Sequence, residues 1–368
     1  MFLKQISLVN FKNYTEFDLT FSAKINCLVG NNGVGKTNLL DAIYYLSFCK
    51  SFINPIDSQN IKHENDFFVV QGDYDLSDTS EHIYCGLKTG RKKQFKRNKK
   101  DYERLSDHIG LLPLVLISPY DTNLIQDGSE ERRKFMNGVI SQYDKQYLYD
   151  TIKYNDIIVQ RNALLKQMSK TGRDEIDTIQ IYNDQLRPLG NSIFEKRKAF
   201  IEELIPIFQE YYNYISNGRE EINIVYQSQL ENSNFADLLI HNYEKDKILQ
   251  YSTQGIHKDD LFLSINNHLV KKIGSQGQQK TFLIALKFAQ FDFLKKIYGF
   301  KPVLLLDDIF DKLDATRVEK IITMVADNHF GQIFITDTNK ERVKKVLEKV
   351  QIESLVIKIN DDGSFEIQ

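Results

Sequence analysis

Cysteine is scarce in this chain, with three in 368 residues: Cys27, Cys49 and Cys85. They are odd in number and far apart, and they lack both CxxC spacing and histidine neighbours, so neither a disulfide framework nor a zinc site is indicated and reduced thiols in a cytosol are the simplest reading. A surplus of either charge is missing too: 48 Lys plus Arg stand against 50 Asp plus Glu, a formal net charge of −2. Such a chain exerts no global pull on a polyanion, so any nucleic-acid surface has to be a local patch. Long apolar runs are absent, none approaching the roughly 20 residues that cross a bilayer. The opening MFLKQISLVNFKNY alternates apolar and polar residues, as a half-exposed strand does, and lacks the basic-then-apolar layout of a signal peptide. A cytoplasmic protein without a membrane partner is expected. Repeats and low-complexity tracts are lacking as well. At 42% hydrophobic and 12% aromatic residues the chain is not disordered, and its length predicts two lobes of ordinary size.

Residues 1 to about 118 read as short strands (Phe2–Val9, Phe17–Phe21, Ile25–Val29, Phe67–Tyr74, His82–Lys88, Leu111–Ile117) around one helix at Asn38–Phe48. Ser118-Pro119 is a plausible exit from this lobe. From Glu130 to about Asn217 the texture changes, and Leu186, Leu189, Ile193, Phe200, Leu204 and Phe208 recur at helical spacing. Lys170-Thr171-Gly172-Arg173 interrupts this, so two long antiparallel helices joined by a short turn are expected, with Pro188 a kink or local break. Two ordinary bundle helices or a functional arm would read alike. Strands return at Ile222–Tyr226 and Leu261–Ile265. Then follow a helix near Gln278–Tyr298, a strand at Val303–Leu306, a helix near Thr316–Asn328, a strand at Gln332–Thr336, a helix at Lys340–Val350 and a strand near Leu355–Ile359. That alternation predicts a mostly parallel core sheet.

The apolar strand Ile25–Val29 runs into Gly30-Asn31-Asn32-Gly33-Val34-Gly35-Lys36-Thr37, with a helix opening directly after. This is the setting of a phosphate-binding loop, G-x-x-x-x-G-K-T. Its glycines let successive N–H groups turn toward phosphate oxygens, and the helix N-terminus adds its positive end. Lys36 would reach the β and γ phosphates, and the Thr37 hydroxyl would ligate Mg²⁺. The plainer alternative is a glycine-rich turn with an incidental lysine. Val303-Leu304-Leu305-Leu306 ends in Asp307-Asp308, and ligands collect at the carboxyl ends of such buried parallel strands. Asp307 would hold the metal and Asp308 would orient or deprotonate the attacking water, unless the pair merely ends a strand in a turn. Residues 91–100, RKKQFKRNKK, hold seven cations in ten positions. Arg91, Lys92, Lys93, Lys96, Arg97, Lys99 and Lys100 would meet DNA phosphates, with Asn98-Lys99 at a hairpin tip; a solvated basic hairpin is the alternative.

Gly274-Ser275-Gln276-Gly277-Gln278-Gln279-Lys280, ahead of a helix, could be no more than an N-cap. It also resembles the signature of ABC-type ATPases, in which Ser275 would face the γ-phosphate held by a second copy. The order of phosphate loop, signature, acidic strand and Leu313-Asp314 is similar to that of ABC-class P-loop NTPases. Within that class the chain resembles the RecF family of bacterial recombination proteins. The blocks that carry the likeness are Asn10-Phe11-Lys12-Asn13-Tyr14, Gly33–Ile43, Lys50-Ser51-Phe52, Ser118-Pro119, Glu131–Phe135, Gln160-Arg161-Asn162, Gly255-Ile256-His257-Lys258-Asp259-Asp260 and Leu305–Phe310. The resemblance implies an α/β nucleotide lobe built from residues 1–118 and 280–368, with a helix-rich lobe at 119–279. It implies catalytic roles for Lys36, Ser275 and Asp308, nucleotide contacts from Gly30 to Asn38 and from Lys12, Gly277 and Asp314, and metal ligation by Thr37 and Asp307. It further implies ATP and Mg²⁺ as cofactors, slow DNA-stimulated hydrolysis, ATP-dependent homodimerisation and binding to duplex, single-stranded and junction DNA. RecO, RecR and RecA would be partners in recombinational repair, replication maintenance and the SOS response. The chain departs in having Lys12 where arginine is common, Asp308 one methylene short of glutamate, and Ile335-Thr336-Asp337 where many ABC proteins carry a switch histidine. An ATPase subunit of a membrane transporter would lack a use for the cationic hairpin, and a cohesin-like structural protein would need far longer arms.

Overall fold

The computed structural model describes residues 1–76, 79–311, 313–326, 329–338, 353–360 and 364–367. The chain opens with β1 (Phe2–Phe11) and β2 (Tyr14–Thr20), an antiparallel hairpin. A bulge between Leu3 and Gln5 shifts the phase of β1, which is why Leu3 and Ile6, three apart, are both fully buried. Next come β3 (Ile25–Val29) and α1 (Lys36–Phe48), then β4 (Phe67–Asp75), β5 (Ser80–Lys88), β6 (Gln94–Arg97) and β7 (Lys100–Asp101). β1, β2 and β4 to β7 form an antiparallel sheet of order β2-β1-β4-β5-β6-β7, an organisation that the single strands of the sequence did not disclose. Strand β8 (Leu114–Ile117) follows.

Helices α2 (Asn123–Gln126), α3 (Ser129–Tyr143), α4 (Lys145–Thr171) and α5 (Ile176–Ser216) come next. Helix α4 starts on the Asp144 side chain, which accepts from Tyr147 N, and ends at Gly172 with φ 68°, the left-handed residue that closes such helices. Of the kink or local break expected at Pro188, the break does not occur: α5 is one helix of 41 residues running through Pro188 and Pro206. Each proline removes one N–H and costs about 3 kcal/mol, yet burial of Leu186, Ile193, Phe200, Leu204 and Phe208 at no more than 1% exposure holds the helix on either side. After α5 come β9 (Ile222–Gln227), α6 (Phe235–His241), α7 (Tyr243–Leu249), β10 (Asp260–Ile265), β11 (His268–Leu269) and α8 (Val270–Ile273), the strands forming a small antiparallel sheet β11-β10-β9.

The chain then enters α9 (Gln276–Tyr298), β12 (Val303–Asp307), α10 (Ala315–Ala326), β13 (Ile333–Asp337), β14 (Ser354–Ile359) and β15 (Phe365–Ile367). The helix expected at Lys340–Val350 lies outside the described residues. The core sheet has the order β15-β14-β3-β13-β12-β8 and is parallel except for β15. All residues of β3, β12 and β13 are buried, as strands covered on both faces require. Register decides the site: Asp337 pairs with Val29 and Asp307 with Thr336, so the phosphate loop, the acidic pair and the end of β13 leave the sheet at one edge.

Two compact units result: residues 1–121, 211–218 and 276–368 form the first, and residues 122–210 and 219–275 the second. The boundary expected at 279/280 falls at 275/276, because α9 is a single helix, buried at Thr281–Leu286, that belongs whole to the first unit. The end of α5, expected within the helical lobe, also joins the first unit.

Candidate functional site

The loop after β3 is shaped by glycines that no other residue replaces cheaply. Gly35 has φ 115°, and a Cβ there would lie 2.5 Å from Asn13 Nδ2 and 3.0 Å from the Tyr14 hydroxyl. Gly30 would drive its Cβ to 2.5 Å from Ile359 O of β14. Asn32, Gly33, Gly35, Lys36, Thr37 and Asn38 line a cavity of about 200 Å³ together with Pro119, Asp307, Asp308, Thr336, Asp337 and Thr338. Lys36 Nζ donates to Gly30 O at 2.7 Å and Asn31 O at 2.5 Å. Burial pulls its pKa below the ordinary lysine range, against the opposing attraction of Asp308, Asp307 and Asp337.

Across the cavity Asp307 Oδ1 accepts from the Thr37 hydroxyl at 3.0 Å and from the Thr336 hydroxyl at 2.6 Å. Burial raises the Asp307 carboxyl above its usual range, the two hydroxyls opposing that rise. Thr336 Oγ1 in turn accepts from Asp308 N at 3.0 Å, fixing a residue whose φ is 46°. Aspartate tolerates that left-handed conformation better than most residues. The end of β13, where a switch histidine is absent, thus supplies a hydroxyl that holds both members of the acidic pair. Lys280 Nζ donates to Asp308 O at 3.2 Å, so the helix that follows the signature reaches the same residue. Hard oxygen donors of Thr37 and Asp307, 3.0 Å apart, suit a small divalent cation such as Mg²⁺.

Lys12, expected to contact nucleotide, is engaged by a carboxylate of α1. Its Nζ pairs with Asp41 at 2.5 Å, with both side chains buried, and it does not line the cavity. Asp41 also accepts from Ser51 Oγ at 2.6 Å and Phe52 N at 2.7 Å, so the Asn-Phe-Lys and Lys-Ser-Phe blocks meet under α1 as a structural tie. The loop is instead gripped by neighbours that sequence reasoning missed. Asn13 Nδ2 donates to Val34 O at 2.9 Å, Asn38 Nδ2 donates to Asn13 Oδ1 at 2.8 Å, and the Tyr14 hydroxyl donates to Gly35 O at 3.0 Å. The signal was present, since Asn13 and Tyr14 belong to a block quoted whole.

Ser275 is exposed just ahead of α9, and Gly277, in its first turn, does not line the cavity. Asp314 is exposed and its Oδ1 accepts from Arg317 N at 2.9 Å, capping α10.

The basic run forms the hairpin β6–β7, with Asn98 and Lys99 at φ 49° and 68°, a type I′ turn. Its cations are not equivalent. Half-buried Lys93 donates Nζ to Asp57 Oδ2 at 2.7 Å, Cys49 O at 2.7 Å and the Tyr45 hydroxyl at 3.1 Å. Arg97 forks onto Glu81 at 2.7 and 2.5 Å, and Lys96 faces Asp101 at 3.6 Å. These three are paired within the fold, whereas Arg91, Lys92, Lys99 and Lys100 are exposed, so the seven cations expected to meet DNA phosphates divide into two sets.

Among known proteins, the family profile described as RecF/RecN/SMC N terminal domain matches residues 2–358. The chain is 53% identical over 369 residues to the "DNA replication and repair protein RecF" of Bacteroides fragilis strain YCH46, covering 100% of this chain and 99% of that one. It is 54% identical over 348 residues to the protein of that name from Flavobacterium johnsoniae, covering 95% and 97%. A solved structure titled as the recombination mediator protein RecF-ATPrS in the RecFOR pathway superposes with TM-score 0.88 at 30% identity, covering 100% of this chain and 98% of that one. The Smc head domain of Pyrococcus furiosus shares the fold alone, with TM-score 0.58 at 15% identity over 100% of this chain and 96% of that one. These relatives set aside the transporter-subunit alternative, and among the described residues no helix is long and apolar enough to cross a membrane. By sequence over its full length and by fold, the chain belongs to the RecF family.

Proposed function

We infer that the protein is an ATP-dependent DNA-binding factor of recombinational repair that hydrolyses ATP slowly, as a switch. The observation that carries this reading is the set Lys36, Thr37, Asp307, Asp308 and Thr336 around one cavity at the carboxyl edge of the parallel sheet. Backbone N–H groups from Gly33 to Thr37 and the Lys36 ammonium would neutralise the β and γ phosphates. Thr37 and Asp307 would hold Mg²⁺, which supplies charge neutralisation on the phosphates. Asp308, fixed through its N–H by Thr336, would orient the attacking water; being one methylene shorter than glutamate, it suits slow turnover. Ser275 and Asp314, both exposed, and Gly277 would complete the site of a second copy. ATP would then close a dimer on DNA, with DNA stimulating hydrolysis and hydrolysis releasing the dimer.

The relatives are named for DNA replication and repair and titled as a recombination mediator of the RecFOR pathway; on that footing the reading extends to action at gaps and single-strand to double-strand junctions, with RecO and RecR as partners and loading of RecA as the outcome. Gel-shift titrations of duplex, single-stranded and gapped DNA, with and without ATP, test the reading. ATP-dependent retention of gapped DNA is expected; binding indifferent to ATP on all three would contradict it.

A further inference from the structure

Two blocks that carry the family likeness take no part in the nucleotide site: Gln160-Arg161-Asn162 and Gly255–Asp260. In the helix-rich unit they meet. Fully buried Arg161 donates Nη1 to Asp246 Oδ2 at 2.8 Å and to Ser252 Oγ at 2.7 Å, and Asn162 Oδ1 accepts from Ser252 N at 2.7 Å. Arg197, 1% exposed, donates Nη1 to Asp259 Oδ2 at 2.6 Å and Ile256 O at 2.7 Å, and Asp259 takes the Tyr226 hydroxyl at 2.5 Å. His257 bridges the Tyr154 hydroxyl at 2.9 Å and Ser252 O at 3.0 Å. Burial lowers its pKa to about 4, with Lys258 and Arg133 adding to the fall. Two buried ion pairs are costly to desolvate and tolerate little misplacement, so residues 251–260 are held in one conformation from beneath.

Two cations border this frame, Lys258 exposed and Arg133 half-buried, with Asp259, Asp260 and Glu130 attracting Arg133. Lys258 is exposed, its Nζ 5.0 Å from the ring centre of Tyr251. Arg133 of α3 docks Nη1 on Asp259 O at 2.7 Å, beside Lys258 in the chain. Its neighbours are neutralised: Arg132 pairs with Asp260 at 2.5 Å, and Lys134 with Glu131 at 2.8 Å and Glu130 at 3.0 Å. Among the described residues neither Arg133 nor Lys258 has a carboxylate within ion-pairing distance.

We propose that Arg133 and Lys258, flanked by the Tyr251 ring, form a second contact for the DNA phosphate backbone, on the helix-rich unit and additional to the basic hairpin. The proposal rests on the DNA-binding reading above. A guanidinium already tethered through one N–H keeps its remaining donors for phosphate oxygens and loses little freedom on binding. Such contacts add affinity without reading sequence.

The test is the salt dependence of gapped-duplex binding at saturating ATP, followed by fluorescence anisotropy. The wild type should weaken steeply with salt. Each lost contact should flatten the log–log slope by about 0.9 on duplex DNA. Lys258→Gln alone should flatten it by that amount and the Arg133→Gln, Lys258→Gln double by about twice as much. Arg133→Lys with Lys258→Arg should keep the wild-type slope, and ATP affinity should be the same in all. A wild type that shows no salt-sensitive binding would defeat the DNA-binding reading itself. A salt-sensitive wild type with equal slopes for Lys258→Gln and the double overturns this inference alone, and would leave the pair to an acidic protein partner.

Discussion

Replacing Thr336 by valine keeps side-chain shape and removes one hydroxyl that serves both acidic residues, accepting from Asp308 N at 3.0 Å and donating to Asp307 Oδ1 at 2.6 Å. Loss of a hydrogen bond to an ionised carboxylate costs about 1.5–3 kcal/mol, and an orphaned buried N–H costs about 1–3 kcal/mol. Taking about 3 kcal/mol in all, and about 2–4 °C per kcal/mol for a unit of roughly 200 residues, the melting temperature of the nucleotide unit should fall by about 6–12 °C. The loss should depend on pH. Burial already raises the Asp307 carboxyl, and a raised carboxyl costs stability fully above its folded pKa and not at all below its unfolded one. Removing a hydroxyl that opposes the rise lifts it further. The deficit should therefore be largest at neutral pH and shrink as the pH falls through the range in which Asp307 gains its proton. Nucleotide-free thermal melts of wild type, Thr336→Val and Thr336→Ser at pH 7.5 and 5 measure this. A valine variant that melts with the wild type, or a serine variant as unstable as valine, would refute the role given to the hydroxyl.

Lys36→Ala should abolish ATP binding measured by calorimetry while circular dichroism stays unchanged, since it removes the ammonium facing the cavity and leaves the loop glycines in place. Glutamate at Arg91, Lys92, Lys99 and Lys100 should flatten the salt slope of DNA binding by up to about 0.9 per contact and leave melting unaltered. Lys93→Glu should instead lower the melting temperature, because it removes three hydrogen bonds and sets a carboxylate beside half-buried Asp57; equal melting for the two hairpin variants would contradict the division drawn between them.

Much of the site was legible because its chemistry is written in adjacent residues. The loop from Gly30 to Thr37 and the strand ending in Asp307-Asp308 each carry their own context, and register then brings them together. The pairing of Lys12 was not legible because its partner, Asp41, lies 29 positions on and only the fold brings the two charges together. The hairpin tip was readable from Asn98-Lys99, but not that Asp57 and Glu81, distant in sequence, neutralise Lys93 and Arg97. At Pro188 a local rule allows either a kink or a break, and only the fold shows that the apolar stripe packed on both sides keeps the helix continuous. Asn13 was missed because a hydrogen bond to a main-chain carbonyl leaves no pattern in sequence.

The central claim is a site completed by a second copy, and light scattering at matched nucleotide concentrations tests it most directly. ATP should drive dimerisation of the wild type and ADP should not. Asp308→Asn keeps size and loses basicity, so it should bind ATP and persist as a dimer. Ser275→Arg, with a bulky cation at the start of α9, should bind ATP and remain a monomer. A monomeric Asp308→Asn protein in ATP, or a Ser275→Arg protein that dimerises as well as wild type, would contradict the shared site and leave a nucleotide-binding monomer.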